Sequence, residues 1–260
     1  MSELNHSIGA GDGCTRRMLL RRGALATTAA VAVPAGLNAA APVADAIARD
    51  TQGDRRIVAW HGLDAWRSEV ALMRLSSRGI VAVGTQVGLA PVAYRLDFRL
   101  DAADGFVTRR LVLTAEGTGW TRHLDLRRSR SGVWTADASA HGHVDLPEPG
   151  GDVATFASAI DCDLGYSPLT NLMPIRRSGL DRHHGAQDFL MAWVSVPDLS
   201  VVASAQRYEH VRANAGGSVV RYVDRGLFPG FKAELRLDRT GLIERYPGLA
   251  EQVQPRQRHA

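Results

Sequence analysis

Cysteine is scarce in this chain. The 260 residues contain two cysteines, Cys14 and Cys162. Cys14 precedes a segment typical of a cleavable leader, so the mature chain would keep only Cys162 and would form no internal disulfide. We therefore expect a fold stabilised by its hydrophobic core rather than by covalent links.

Lysine and aromatic residues are also scarce, and neither sign of charge is in large excess. Lys232 is the only lysine, aromatic residues make up 6%, and 31 Lys and Arg face 27 Asp and Glu, for a net charge of +4. This near balance predicts no nucleic-acid partner. We find no Gly-x-Ser-x-Gly, no Walker loop and no dinucleotide fingerprint, and therefore predict no cofactor and no catalytic residue of those classes.

The N-terminal residues resemble a twin-arginine export signal. Thr15 precedes Arg16 and Arg17, a weakly apolar run spans 23–37, and Ala44-Asp45-Ala46 provides small residues for a signal peptidase. The run is too short and too weakly apolar to predict a membrane span. We predict a signal peptide over 1–46, the twin-arginine machinery as a partner, and an exported protein of the periplasm, cell envelope or medium, with no stable membrane span after cleavage. An earlier cut at 39–41, a chance Arg pair in an N-terminal extension and an uncleaved anchor stay open.

Alternation of apolar and polar residues with a period of two dominates the mature chain. Tyr94, Leu96, Phe98 and Leu100 alternate with charged residues, which is typical of a strand packed on one face. The pattern predicts a mainly β single domain, an antiparallel barrel, roll or sandwich with one or two short helices. The predicted strands are 69–75, 79–87, 94–101, 108–115, 119–127, 132–138, 189–196, 200–212, 219–224 and 231–238.

One stretch interrupts this pattern. Ser167 and Pro168 suit the N-cap and first position of a short helix, which Pro174 would limit to a turn or two before a kink. We divide the chain into the signal (1–46), a short lead (47–56), a β domain (57–249) and a polar, frayed tail (250–260).

Residues 161–177 carry the most specific motif, DCDLGYSPLTNLMPIRR. It resembles the signature of the bacterial glycolipid-binding family, formerly known only as a domain of unknown function, with Asp-x-Asp, Pro-x-Thr-Asn and Leu-Pro-Ile-Arg-Arg in order and Met173 in the Leu place. The resemblance spans about 57–249. Flanking features also match: Trp60 with Gly62 and Glu69, Gly132-Val133-Trp134, Gln206-x-Tyr208, the run 231–238, Gly241-Leu242-Ile243 and Tyr246-Pro247.

The resemblance implies a rolled, spiral antiparallel sheet like a half-barrel, which holds a lipid or glycolipid in a sheet-lined apolar cavity without catalysis. This chain departs from many members of that family because it carries an export signal. Arginine could bind a phosphate or carboxylate, and Asp, Asn or a hydroxyl could bind sugar hydroxyls. The candidate ligand-binding residues are Asp161, Asp163, Thr170, Asn171, Arg176, Arg177 and Tyr208.

Other interpretations of these residues stay open. Asp161, Asp163 and Asn171 could fix an irregular backbone, with Arg176 paired to one of the carboxylates in the core. A hydrolase or isomerase acting on a lipid-like substrate near Asp161 and Arg176, or a structural β domain with a filled core, would also fit. His141-Gly142-His143 would suit a zinc pair only on a strand, and its neighbours indicate a loop, so we predict no metal. Sugar stacking is open to seven aromatic residues, but most of them lie among alternating apolar residues, which favours core packing; they are Trp60, Trp66, Trp120, Trp134, Trp193, Tyr208 and Tyr246.

Overall fold

The computed structural model describes residues 53–254, and the predicted leader lies outside them. The described part of the chain forms one mainly antiparallel sheet of fourteen strands, which curls without closing. The mainly β prediction is confirmed. The strands are β1 (Asp54–Gly62), β2 (Arg67–Leu75), β3 (Ile80–Gly88), β4 (Tyr94–Ala102), β5 (Arg110–Gly117), β6 (Trp120–Arg128), β7 (Trp134–Gly142), β8 (Asp161–Leu164), β9 (Ala186–Val194), β10 (Val201–Asn214), β11 (Gly217–Asp224), β12 (Lys232–Asp238), β13 (Ile243–Tyr246) and β14 (Ala250–Gln252).

The strand order is β7-β6-β5-β4-β3-β2-β1-β14-β13-β12-β11-β10-β9-β8. Two meanders, β1 to β7 and β9 to β14, meet where β1 pairs with β14, with Trp60 opposite Gln252. β8 pairs parallel to β9, with Asp161 opposite Met191. The pairing of the first and last strands makes one continuous sheet from two halves.

The alternation correctly predicts which side chains face inward. In β4, Tyr94, Leu96, Phe98 and Leu100 are buried, and Arg95 on the opposite face is exposed. The same alternation in β2 buries every second residue from Arg67 to Leu75. The buried residues of both meanders form the core on the inner face of the curled sheet.

All ten predicted strands are present, with ends that shift by up to about four residues, the usual precision at strand ends. Four strands were missed, namely β1, β8, β13 and β14. β1 begins inside the predicted lead, and β14 uses residues 250–252 of the predicted tail. β7 continues to Gly142, so the loop predicted for His141 and Gly142 is wrong.

Two short helices accompany the sheet in the described residues. A 3-10 turn spans Val153–Phe156, and helix α1 spans Leu172–Ser178. Ser167 as the N-cap is wrong, because Asn171 holds that position. Pro174 is the third helical residue, where a backbone N–H has no partner within the helix, so it causes no break. Among the described helices, none has the length and apolar character needed to cross a membrane.

Candidate functional site

The motif region lies inside the curl of the sheet. We call residues 161–181 the central segment, which comprises β8, the following turn, α1 and the residues after it. Its apolar side chains Leu169, Leu172, Met173 and Ile175 are at most 1% exposed. The segment therefore covers the inner face of the sheet, and its polar side chains mark where it is attached.

An ion pair between the partly exposed Arg177 and the buried carboxylate of Asp161 attaches the end of α1 to the start of β8. Nη1 of Arg177 lies 2.5 Å from Oδ1 of Asp161, and Nη2 lies 2.6 Å from Oδ2. Arg177 also donates to the carbonyl oxygen of Phe106 at 3.0 Å. Burial raises the pKa of Asp161, and the bond to Arg177 opposes that effect. Such a bidentate pair fixes both side chains in a single geometry.

Arg176 points elsewhere, so its predicted pairing with Asp161 or Asp163 is wrong. Its Nη1 donates to the carbonyl oxygen of Thr240 at 2.7 Å and lies 3.8 Å from Asp181. Consecutive helical residues are separated by about 100°, so only one of the two arginines can face Asp161. Arg176 thus attaches α1 to the turn between β12 and β13.

A second set of buried hydrogen bonds joins the central segment to β10. Asp163 accepts from Thr170 at 2.9 Å and from the amide of Gln206 at 2.7 Å. Tyr208 donates to Gln206 at 3.0 Å and accepts from Asn171 at 2.7 Å. These five side chains are all buried, and their mutual bonds satisfy groups that would otherwise be costly to desolvate.

A third set, centred on Glu69, joins the central segment to β2 and β3. Ser167 donates to one carboxyl oxygen of Glu69 at 2.8 Å, and Gln86 donates to the other at 3.1 Å. Tyr94 completes this series of hydrogen bonds by donating to Oε1 of Gln86 at 2.8 Å. Sequence reasoning did not select Glu69 as a site residue, although a charged residue at an inward position of an alternating strand was the available signal.

Glu69 is a buried carboxyl group with a raised pKa. It is 3% exposed, and the ion pairs of the described residues do not include it. Burial raises its pKa from 4.5 to about 7, against the smaller lowering by the hydrogen bonds from Ser167 and Gln86. A carboxyl group that titrates near neutrality beside a pocket is a recognised indicator of a functional site, although structural networks also produce such shifts.

A small pocket opens beside Glu69, at the end of the sheet where β1 ends and β2 begins. Its volume is about 10 Å³, room for roughly one water molecule. Glu69, Gln86, Arg67 and Tyr166 are among its lining residues. The Arg67 guanidinium lies 3.9 Å from the centre of the Tyr166 ring and pairs with Asp64. We call this place the Glu69 pocket.

A larger depression, about 260 Å³, lies at the opposite end of the sheet. It is lined by residues of the β10–β11 hairpin and of β12, including Arg212 and Arg236. None of the three buried hydrogen-bond sets reaches it. Size alone therefore does not make it the better candidate, and the Glu69 pocket is where buried polar groups meet an opening.

The seven sequence-predicted ligand residues lie along the central segment and on β10, but they form separate clusters. Asp161 and Arg177 form one cluster, Asp163, Thr170, Asn171 and Tyr208 a second, and Arg176 stands apart. Each bonds to other protein groups, which are the contacts of a structural role. A role in ligand binding stays a prediction.

The remaining candidates divide between core and surface. Trp60, Trp120, Trp134 and Tyr246 are buried, in agreement with core packing for most of the aromatic residues, whereas Trp66 is 63% exposed. His141 and His143 are exposed, and the described residues contain no group of three His, Cys, Asp or Glu side chains suited to a metal ion. Trp66 does not line the Glu69 pocket, but it directly precedes Arg67, which does.

Comparison with known proteins decides the family. A family model described as "Putative glycolipid-binding" matches residues 57–252. The chain belongs to this family. A DUF1089 family protein from Pseudomonas aeruginosa, solved as a crystal structure, is 26% identical, covers 71% of this chain with 92% of its own, and superimposes with a TM-score of 0.54. The curated proteins include no match.

Proposed function

We propose that this glycolipid-binding family member binds a lipid or glycolipid without changing it chemically, with the polar head group at the mouth of the Glu69 pocket, whose volume of about 10 Å³ admits one water-sized group of that ligand. The observation that carries this proposal is the meeting of Arg67, Glu69 and Gln86 at an opening of the sheet. Glu69 and Gln86 are bonded to Ser167, Tyr94 and each other, whereas Arg67 has guanidinium N–H groups besides the one bonded to Asp64, and these can donate to hydroxyl-rich or phosphate-bearing head groups. The family match supports the ligand class.

The acyl chain has two possible locations in this proposal. Along the inner face, Leu96, Leu113 and Leu124 are fully buried by protein, so a chain reaches them only if the central segment shifts. Beside the pocket, Trp66 and Leu89 are 63% and 61% exposed and can contact a chain with no such shift. Each buried methylene contributes about 0.8 kcal/mol, so a long chain at either place supplies substantial affinity.

An enzymatic alternative has less support from the geometry. The predicted hydrolase or isomerase site needs Asp161 and Arg176 together, yet Asp161 is engaged by Arg177 and Arg176 bonds to Thr240. Cys162 is buried, and burial raises the pKa of its thiol to about 12, which keeps it protonated and unreactive as a nucleophile. We therefore keep binding without turnover as the proposal.

Native mass spectrometry of protein purified from its own host tests the function. We expect a co-purified lipid and saturable uptake of a fluorescent acyl probe. Arg67→Met should weaken lipid binding about tenfold, the cost of one charge-assisted hydrogen bond. Arg95→Met, on the exposed outer face of β4, is the matched control and should leave binding unchanged. Absence of both lipid and uptake would refute the proposal, and ligand turnover would favour the enzyme.

We also propose that the chain is exported by the twin-arginine machinery to the periplasm, envelope or medium. Arg16 and Arg17 precede the apolar run, and the family match begins at residue 57, after the predicted cleavage. Replacing both arginines by lysine keeps the charge but removes the pair that defines the signal. Loss of the protein from the extracytoplasmic fraction is expected, and unchanged delivery would contradict the export proposal.

A further inference from the structure

Three large apolar side chains are exposed at the end of the sheet that holds the Glu69 pocket. Leu63 and Trp66 lie in the loop between β1 and β2, and Leu89 begins the loop between β3 and β4; they are 39%, 63% and 61% exposed. Arg67 pairs with Gly88 at the end of the β2–β3 ladder, so Trp66 and Leu89 are the residues that directly flank this terminal pair. We call residues 63–66 and 89–93 the apolar tip.

The protein holds the first of these loops in place. The backbone N–H of Leu63 donates to the carbonyl oxygen of Leu249 at 3.0 Å, and Asp64 pairs with Arg67, whose guanidinium stacks on Tyr166. The side chains of Leu63 and Trp66 therefore remain exposed although their backbone is anchored. Single exposed apolar side chains are common, but three at one end of the sheet, two of them on an anchored loop, indicate a surface that contacts another molecule or a membrane.

The charge of the apolar tip indicates what covers it. Residues 89–93 read Leu-Ala-Pro-Val-Ala and carry no charge, and the only charged residue of 63–66, Asp64, is neutralised by Arg67. The outer face of the sheet elsewhere is charged, because ion pairs such as that of Arg221 with Glu234 cross its strands. A tip without an unpaired charge can enter a region of low dielectric constant without the cost of stripping water from an ion.

We propose that the apolar tip inserts into the interfacial layer of a lipid bilayer. Tryptophan favours that layer because its ring is apolar and its N–H stays hydrogen-bonded, and flanking leucines add acyl contact. Insertion brings the Glu69 pocket to the depth of the head groups, so a lipid reaches it without crossing water. This inference rests on the proposed lipid-binding function and specifies where the protein meets its ligand.

Co-sedimentation of the full chain with phosphatidylcholine vesicles tests the inference. The variants are Trp66→Ser with Leu89→Ser, and Val133→Ser as the matched control, since Val133 is 61% exposed at the opposite end of the sheet. The double variant should bind vesicles at least about tenfold more weakly, because each side chain buries a large apolar area. The control should bind like the wild type, and any contribution of the leader is the same in all three proteins.

Quenching by phosphatidylcholine brominated along its acyl chain provides a second readout. Tryptophan fluorescence of the wild type should fall on vesicle binding, and this quenching should be lost in Trp66→Ser. Equal sedimentation of wild type and double variant, or an equal loss in the control, overturns the inference. If the wild type carries lipid in native mass spectrometry but does not bind vesicles, the membrane inference is overturned and the proposed binding function stands. If the wild type neither carries lipid nor binds vesicles, both proposals are refuted.

Discussion

Replacement of Glu69 by glutamine tests whether a buried, proton-bearing carboxyl group joins the sheet to the central segment. Burial raises the pKa of Glu69 from 4.5 to about 7. Below pH 4.5 the group is protonated in both the folded and the unfolded chain. Between pH 4.5 and 7 the unfolded chain loses this proton and the folded chain keeps it, so the free energy of unfolding falls as pH rises.

The size of this effect follows from the pKa difference. A shift from 4.5 to about 7 corresponds to about 3 kcal/mol, at 1.36 kcal/mol per unit, and the loss is complete above pH 7. Glutamine keeps the shape, accepts from Gln86 through its oxygen and donates to Ser167, whose hydroxyl can rotate. The Glu69→Gln variant should therefore lack this part of the pH dependence.

The assay is urea unfolding at pH 5, 6, 7 and 8, followed by tryptophan fluorescence. The free energy of unfolding of Glu69→Gln, relative to the wild type, should rise by about 2 to 3 kcal/mol from pH 5 to pH 8. Glu116→Gln, at an exposed position of β5, is the matched control and should show a constant difference. A difference between Glu69→Gln and the wild type that does not change with pH would refute the reasoning.

Two further predictions concern the central segment. Arg177→Met leaves the carboxylate of Asp161 buried without its partner and should lower the free energy of unfolding by about 3 to 5 kcal/mol. Adding Asp161→Asn should restore part of that loss, and additive effects of the two substitutions in a double-mutant cycle would contradict the pairing. In a Cys14→Ser background, the Cys162 thiol, whose pKa burial raises to about 12, should react with Ellman's reagent only as fast as the chain unfolds; rapid labelling of the folded protein at pH 8 would show that the thiol is accessible.

The motif at 161–177 forms β8, the following turn and α1, and ligand binding by its residues stays a prediction. Sequence spacing could not tell which arginine would meet Asp161, because that depends on the rotation of α1 over β8. Glu69 was overlooked because it lies about a hundred residues from Ser167 along the chain, and only the curl of the sheet brings the two together. The alternation could not indicate the exposure of Trp66, because this residue falls one position before β2 begins.

Local pattern was sufficient for most of the sheet. Alternation determined which residues of β4 and β12 face inward, because successive side chains in a strand point to opposite faces whatever the rest of the chain does. The scarcity of cysteine and the balance of charge also belong to the sequence alone. The pairing of β1 with β14, the burial of Glu69 and the exposure of Trp66 were decided only by the tertiary structure, because each depends on contacts between residues far apart in the chain.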